Sequence, residues 1–216
     1  MHPSLQQVVV NAFGTVENMT VQTVDPLIPQ AGEVIIDLQS IGMNQADLMA
    51  RRGEYKLSSG EPPFTPGIEG GGVISAIGEG VSDRQIGQSV ILTLSAPGRK
   101  GTYRSQFVAR SEDTILVPDD VPNDLLGALW LPFLTAWGAL VWRQNVQPQQ
   151  IVMLPAASSS VAIAASQIVK QRGGITIGTT TSPDKVEALQ QLEAAQYDHI
   201  VITQNNEDEK PWWRII

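Results

Sequence analysis

The stretch Ile151-Val152-Met153-Leu154-Pro155-Ala156-Ala157-Ser158-Ser159-Ser160-Val161-Ala162 passes from a short apolar run, through a turn of small residues, into a helix-forming segment. At a strand-to-helix turn of this kind the first backbone N–H groups of the helix lack acceptors of their own and attract anions. A pyrophosphate reaches them only where the side chains are small. Glycine is the usual occupant because it also permits positive φ. Serine keeps the turn small and adds a hydroxyl that donates to a phosphate oxygen or caps the helix. Two readings are therefore open: Ser159, Ser160 and Val161 hold a phosphate, or Ser158 or Ser159 does no more than cap a helix.

The next apolar run ends in Ile177-Gly178-Thr179-Thr180-Thr181-Ser182-Pro183-Asp184-Lys185. In a dinucleotide site that prefers NAD, an acidic side chain at this strand end holds the ribose 2′-hydroxyl, whereas NADP needs a pocket that accepts a phosphate. No carboxylate stands at residues 178–181, Thr180 and Thr181 offer hydroxyls, and Lys185 brings a cation one helical turn later. If a dinucleotide binds, NADPH is the expected one. Ser182 before Pro183 also reads as a helix cap and first helical residue, so part of the cluster has a structural use as well.

The elements that must carry these residues follow from periodicity. Apolar runs at 151–154, 175–179 and 199–203 read as strands, with helices over 159–172 and 184–194 between them; in the first helix Val161, Ala164, Ala165, Ile168 and Val169 make one apolar face. The order β-α-β-α-β is the first half of a doubly wound nucleotide-binding fold. Upstream, stretches rich in Val, Ile and Leu at 6–12, 33–41, 72–77, 89–94 and 102–108 alternate with Gly, Pro, Asp and Ser, which predicts a compact antiparallel barrel or sandwich. Asn44 to Arg52 interrupts it with a short helix. Pro118-Asp119-Asp120-Val121-Pro122 marks the change of character, Asn123 is a candidate N-cap, and Pro132 is expected to break or kink the following helical run, giving two shorter helices.

Composition sets the outer limits. The 216 residues are 42% hydrophobic and 17% charged, enough apolar surface for a folded core. A net charge of −8 repels phosphate backbones and anionic lipid, which argues against nucleic acid and membrane as partners. The absence of cysteine excludes disulfides and thiolate metal sites. No basic-then-apolar leader and no apolar run of ~18 residues is present, so the expected location is cytoplasmic.

Several stretches together, IGMNQADLMARRGEY, PFTPGIEGGGVISAIGEGVSDRQIGQSVI, LPFLTAWGAL and the serine turn, resemble in order and spacing the medium-chain dehydrogenase/reductase superfamily, in its zinc-independent quinone oxidoreductase and enoyl reductase branch. The resemblance implies a mixed α/β chain: a GroES-like β-barrel domain over 1–122, then linking helices and a partial Rossmann domain, a doubly wound parallel sheet, over 123–216. The positions that hold catalytic zinc in the alcohol dehydrogenases of that superfamily look like Asn44, Ile68 and Leu131 here, none of them a ligand, so no metal is expected. Glu69 survives beside them, with a structural role expected. The family's phosphate-turn glycines correspond to Ser159, Ser160 and Ala162.

The resemblance further implies NADPH-dependent reduction of a small-molecule quinone or enone. Asn44 and Thr135 would contact the nicotinamide and its ribose, and Tyr55 would line the substrate pocket as a phenolic donor to a developing enolate. Read from its own neighbourhood, Tyr55 is equally a packed surface aromatic. Trp130, Trp137 and Trp142 read as core or interface. Family members continue well beyond the end of this chain, so the expectation is a C-terminally truncated reductase, weakly active alone. The alternative is a non-catalytic module that pairs an open sheet edge at 151–154 with a second chain.

Overall fold

The computed structural model describes residues 4–55, 60–93 and 101–203. It divides into two compact units, the first ending at Trp130 and the second beginning at Leu131.

The first unit is antiparallel. Strand β1 (Gln6–Val10) pairs with β2 (Met19–Thr23) as a hairpin. A five-stranded sheet runs in the order β6-β3-β4-β5-β7, formed by Gln106–Arg110, Glu33–Ile41, Gly70–Ile77, Ser89–Leu92 and Thr114–Leu116 respectively. Alternation along β3 and β4 turns Val34, Ile36 and Ile74 onto Val90, Leu92, Phe107 and Ala109, and this cluster is the core. Each fully buried Ile contributes about 1.5–3 kcal/mol. Helix α1 (Gln45–Arg52) opens on Asn44, the N-cap, and stops at Gly53, whose φ of 79° is the left-handed value that ends a helix.

Most apolar runs form the strands expected of them, but the strand expected over 102–108 is displaced to Gln106–Arg110. Residues 102–105 are used otherwise: Arg104 bridges Gln7, and Thr102 and Tyr103 bond back to Gly67 and Pro66. Leu94, the expected end of another strand, and the final stretch 204–216 lie outside the described residues.

The second unit is parallel. Strands β8 (Ile151–Leu154), β9 (Ile175–Thr180) and β10 (His199–Ile202) lie in the order β10-β9-β8, all parallel. Helix α3 (Ser160–Gln171) covers one face of the sheet and α4 (Lys185–Gln191) follows β9. The core gathers Leu154, Ala162, Ala165, Ile168 and Val169 with Ala136 and Leu140.

The apolar face expected on α3 is corrected at its start. Ala164, Ala165, Ile168 and Val169 are buried, but Val161 is 38% exposed and Ala162 takes the inward position. The helical run does divide into two, but at Leu129 rather than at Pro132. The chain forms a 3-10 turn over Asn123–Ala128 and then α2 (Trp130–Trp137), with Pro132 buried in its first turn, where a missing N–H removes no helical bond. A π-helical turn, Gly138–Arg143, continues it. Trp130 packs against the core cluster of Leu126, whereas Trp142 is 86% exposed.

Candidate functional site

The serine turn is built by three local decisions. Ala156 takes the positive φ, 51°, that glycine would otherwise supply. Ala157, fully buried, donates its N–H to the Thr179 carbonyl at 2.9 Å, and its own carbonyl accepts the Tyr197 hydroxyl at 2.8 Å, so β9 and Tyr197 hold the turn in place. Burial pushes the Tyr197 phenol up to about 12, which keeps it a donor. Ser159 then caps α3: its hydroxyl oxygen accepts the Ala162 N–H at 3.2 Å. Its hydroxyl hydrogen stays available to donate. The N–H groups of Ser160 and Val161, in the first turn of α3, have no intrahelical acceptor.

The end of β9 is brought to the same place. Lys185 extends its Nζ to the Ser158 hydroxyl oxygen at 3.3 Å, joining residues 27 apart in sequence. Thr180 is buried and its hydroxyl accepts the Ser182 N–H at 3.1 Å, so it shapes the strand-to-helix turn; Thr181 is exposed beside it. Ser158, Ser160, Val161, Thr181 and Lys185 are all exposed, and they present backbone and side-chain donors at one end of the parallel sheet. Thr135 is exposed on α2 and is not hydrogen-bonded to this turn. In the sequence Ser158 reads only as a candidate cap; the folded position of Lys185 adds its second contact.

The first unit holds a second polar cluster of opposite character. The Asn44 carboxamide donates to Glu69 Oε2 at 3.1 Å and to the Gly42 carbonyl at 3.4 Å. Asp47 accepts the Asn44 backbone N–H at 2.9 Å and the Tyr103 hydroxyl at 3.2 Å. Glu69 is 1% and Asp47 5% exposed. Burial raises the Asp47 carboxyl above its ordinary range, against the pull of the Asn44 N–H, the Tyr103 hydroxyl and the Gly67 N–H. The Tyr103 phenol is raised as well, by burial and then by the neighbouring Asp47. Asp47 stands at the capping-box position three residues after Asn44, a local signal in the sequence, whereas its contact with Tyr103 joins residues 56 apart and has none. Tyr55 follows α1 and is 38% exposed. Among the described residues no three His, Cys, Asp or Glu side chains converge to hold a metal ion. A cleft of about 390 Å³ in this unit is lined by β1, β3 and Tyr103–Ser105 and includes none of the predicted site residues.

Residues 30–123 match the alcohol dehydrogenase GroES-like domain. The chain is 32% identical to the quinone oxidoreductase of Sus scrofa over 77% of its own length and 50% of that protein. It is 34% identical to the human synaptic vesicle membrane protein VAT-1 homolog over 87% of this chain and 47% of that one. The quinone oxidoreductase of Escherichia coli, solved in complex with NADPH, superposes with a TM-score of 0.81 at 23% identity, over 97% of this chain and 61% of that one. The chain belongs to the medium-chain dehydrogenase/reductase superfamily. The five-stranded antiparallel sheet is its GroES-like part, and the parallel sheet of β8, β9 and β10 is part of its Rossmann domain. This superfamily member spans about half the length of the curated relatives it matches. Among the described residues no helix is long and apolar enough to cross a membrane.

Proposed function

We propose that the chain is the GroES-like and cofactor-binding portion of an NADPH-dependent, zinc-independent reductase acting on a quinone or an activated alkene. The observation that carries this reading is the contact of Lys185 with Ser158, which gathers a cation, serine hydroxyls and the free N–H groups of Ser160 and Val161 at one sheet end. Such a donor set suits phosphate oxygens.

NADPH, when bound, supplies the hydride. The residues of the chain bind and orient. Ser160 and Val161 donate their N–H groups to the pyrophosphate, with the Ser159 hydroxyl hydrogen beside them. Thr181 and Lys185 face the 2′-phosphate, and Lys185 leaves Ser158 to do so. Asn44 and Thr135 contact the nicotinamide side. Tyr55 offers a phenolic O–H to the substrate oxygen as negative charge develops there. The experiment is a fluorescence titration with NADPH and NADH of the wild type and of Lys185→Glu; the reading requires NADPH to bind more tightly, and Lys185→Glu to remove the difference.

A second reading is supported by the sheet itself. Among the described residues β8 pairs only with β9, and Ile151 and Met153 are 66% and 40% exposed. An open edge with apolar side chains suits pairing with a second polypeptide. In that reading the chain binds the partner and has no turnover alone. Light scattering of the chain by itself, and with a separately expressed C-terminal half of a relative, tests it: a stable mixed complex supports pairing, and a monomer that ignores the second half refutes it.

A further inference from the structure

Glu69 immediately precedes β4, and its carbonyl is held twice, accepting the Gly42 N–H at 3.1 Å and the Thr102 hydroxyl at 2.8 Å. Its carboxylate accepts from the Asn44 carboxamide, whose other short contact is the Gly42 carbonyl. Glu69 Oε2 and the Gly42 carbonyl oxygen both accept from the carboxamide, so both face its NH2 end. The direction of the amide is thereby set. A Cβ on Gly42 would come within 2.3 Å of Glu69 Oε2 and of the Gly127 carbonyl, so the space around the carboxylate is kept clear by the lack of a side chain. From the other side, Asp47 holds the Asn44 main chain through its N–H and is itself held by the Tyr103 hydroxyl.

We infer that Glu69 and Asp47 are positioning residues for Asn44: buried Glu69 sets the direction of the carboxamide, and Asp47 sets the position of the main chain from which it projects. The inference rests on the proposed role of Asn44 at the nicotinamide side. Gln in place of Glu69 keeps an acceptor for the amide, whereas Leu keeps the volume and removes it. A carboxamide left with only the 3.4 Å contact to the Gly42 carbonyl is held less firmly in that direction.

The test is a double-mutant cycle on NADPH affinity with Asn44→Ala, Glu69→Leu and the pair, with Glu69→Gln as the conservative variant. Glu69→Leu is expected to weaken NADPH by about 5-fold, as Asn44→Ala does, with the pair no weaker than either alone and Glu69→Gln within about 2-fold of wild type. Additive losses, or a Glu69→Leu protein that binds as wild type does, overturn the inference. A second readout needs no ligand and covers the case in which Glu69→Leu fails to fold: hydrogen exchange of the Asn44 side-chain NH2 by NMR, assigned by its loss in Asn44→Ala. Slow exchange in wild type and Glu69→Gln, with fast exchange in Glu69→Leu wherever that variant folds, supports positioning. Fast exchange in wild type overturns it. If wild type does not bind NADPH, the proposed function fails and the exchange measurement alone decides whether Asn44 is held.

Discussion

The two polar clusters of this chain differ in burial: one is closed inside the first unit, the other lies at the surface of the second. Around Asn44 a carboxamide, two buried carboxylates and a phenol bond to one another and to main-chain groups, inside the protein. Around the serine turn the Ser160 and Val161 N–H groups have no intrahelical acceptor, and Ser160, Val161 and Lys185 are exposed. The first cluster is an internal scaffold whose disruption is felt as lost stability. The second is a surface with spare donors at the start of α3.

The sharpest way to break this contrast is Gly42→Ala. The new methyl would meet Glu69 Oε2 and the Gly127 carbonyl at 2.3 Å, one of them main chain. Overpacking of this kind costs about 1–3 kcal/mol, and we expect a Tm lower by roughly 4–8 °C. A change below about 1 °C in a thermal melt would show that the Asn44 cluster yields easily and is no scaffold.

The serine turn allows a finer cut within a single helix start. Ser159→Ala removes the cap on Ala162 and is expected to lower stability by about 1 kcal/mol. Ser160→Ala removes no bond of the folded chain, since the spare donor there is main chain, and leaves stability unchanged. Denaturant titrations of both variants measure the difference; equal losses would mean that Ser159 is no more a cap than Ser160.

The smallest effect concerns pH, where the two units carry carboxyls shifted in opposite directions. Asp198 is lowered to about 2, first by the Lys170 ammonium at 2.6 Å and then by the Thr176 N–H. A depressed carboxyl stabilises above its unfolded value and loses that contribution as pH falls from about 4 towards 2. Partial exposure of the pair reduces the amount to roughly 1 kcal/mol or less. Asp47 is raised, so its contribution has the other sign: greatest at low pH and lost as pH rises through the raised value. Asp198→Asn should therefore flatten the acid limb of a stability profile, and Asp47→Asn should flatten the loss on raising pH from acid towards neutral. Identical profiles for both variants would remove this part of the contrast.

The scaffold was legible in sequence wherever burial imposes a period. Val34, Ile36 and Ile74 announce their strands, and β8 lies where its apolar run stands. The exposed hairpin strand Met19–Thr23 and the three-residue Thr114–Leu116 gave no such signal, since neither carries a buried apolar alternation long enough to see. Val161 matched a helical period but lies in the first turn of α3, where that face is not yet covered. Pro132 signalled a break because a sequence does not show which residue will be the first of a helix. The candidate site was legible only in part. Ser159, Ser160, Val161 and Lys185 were found from local turn chemistry, but the Ser158–Lys185 contact and the tie of Asp47 to Tyr103 join residues far apart in the chain. Such contacts follow from how strands pair, and no spacing rule encodes them.

The central claim, that the exposed donor cluster is a site for a 2′-phosphorylated dinucleotide, is tested most directly by comparing the dissociation constants of NADPH and NADH for the wild-type chain and for Lys185→Glu. The account predicts NADPH tighter by about 10-fold or more in wild type, a preference lost in Lys185→Glu, and NADH affinity little changed between the two. Equal affinity for both nucleotides in wild type, or a preference for NADH, would contradict it.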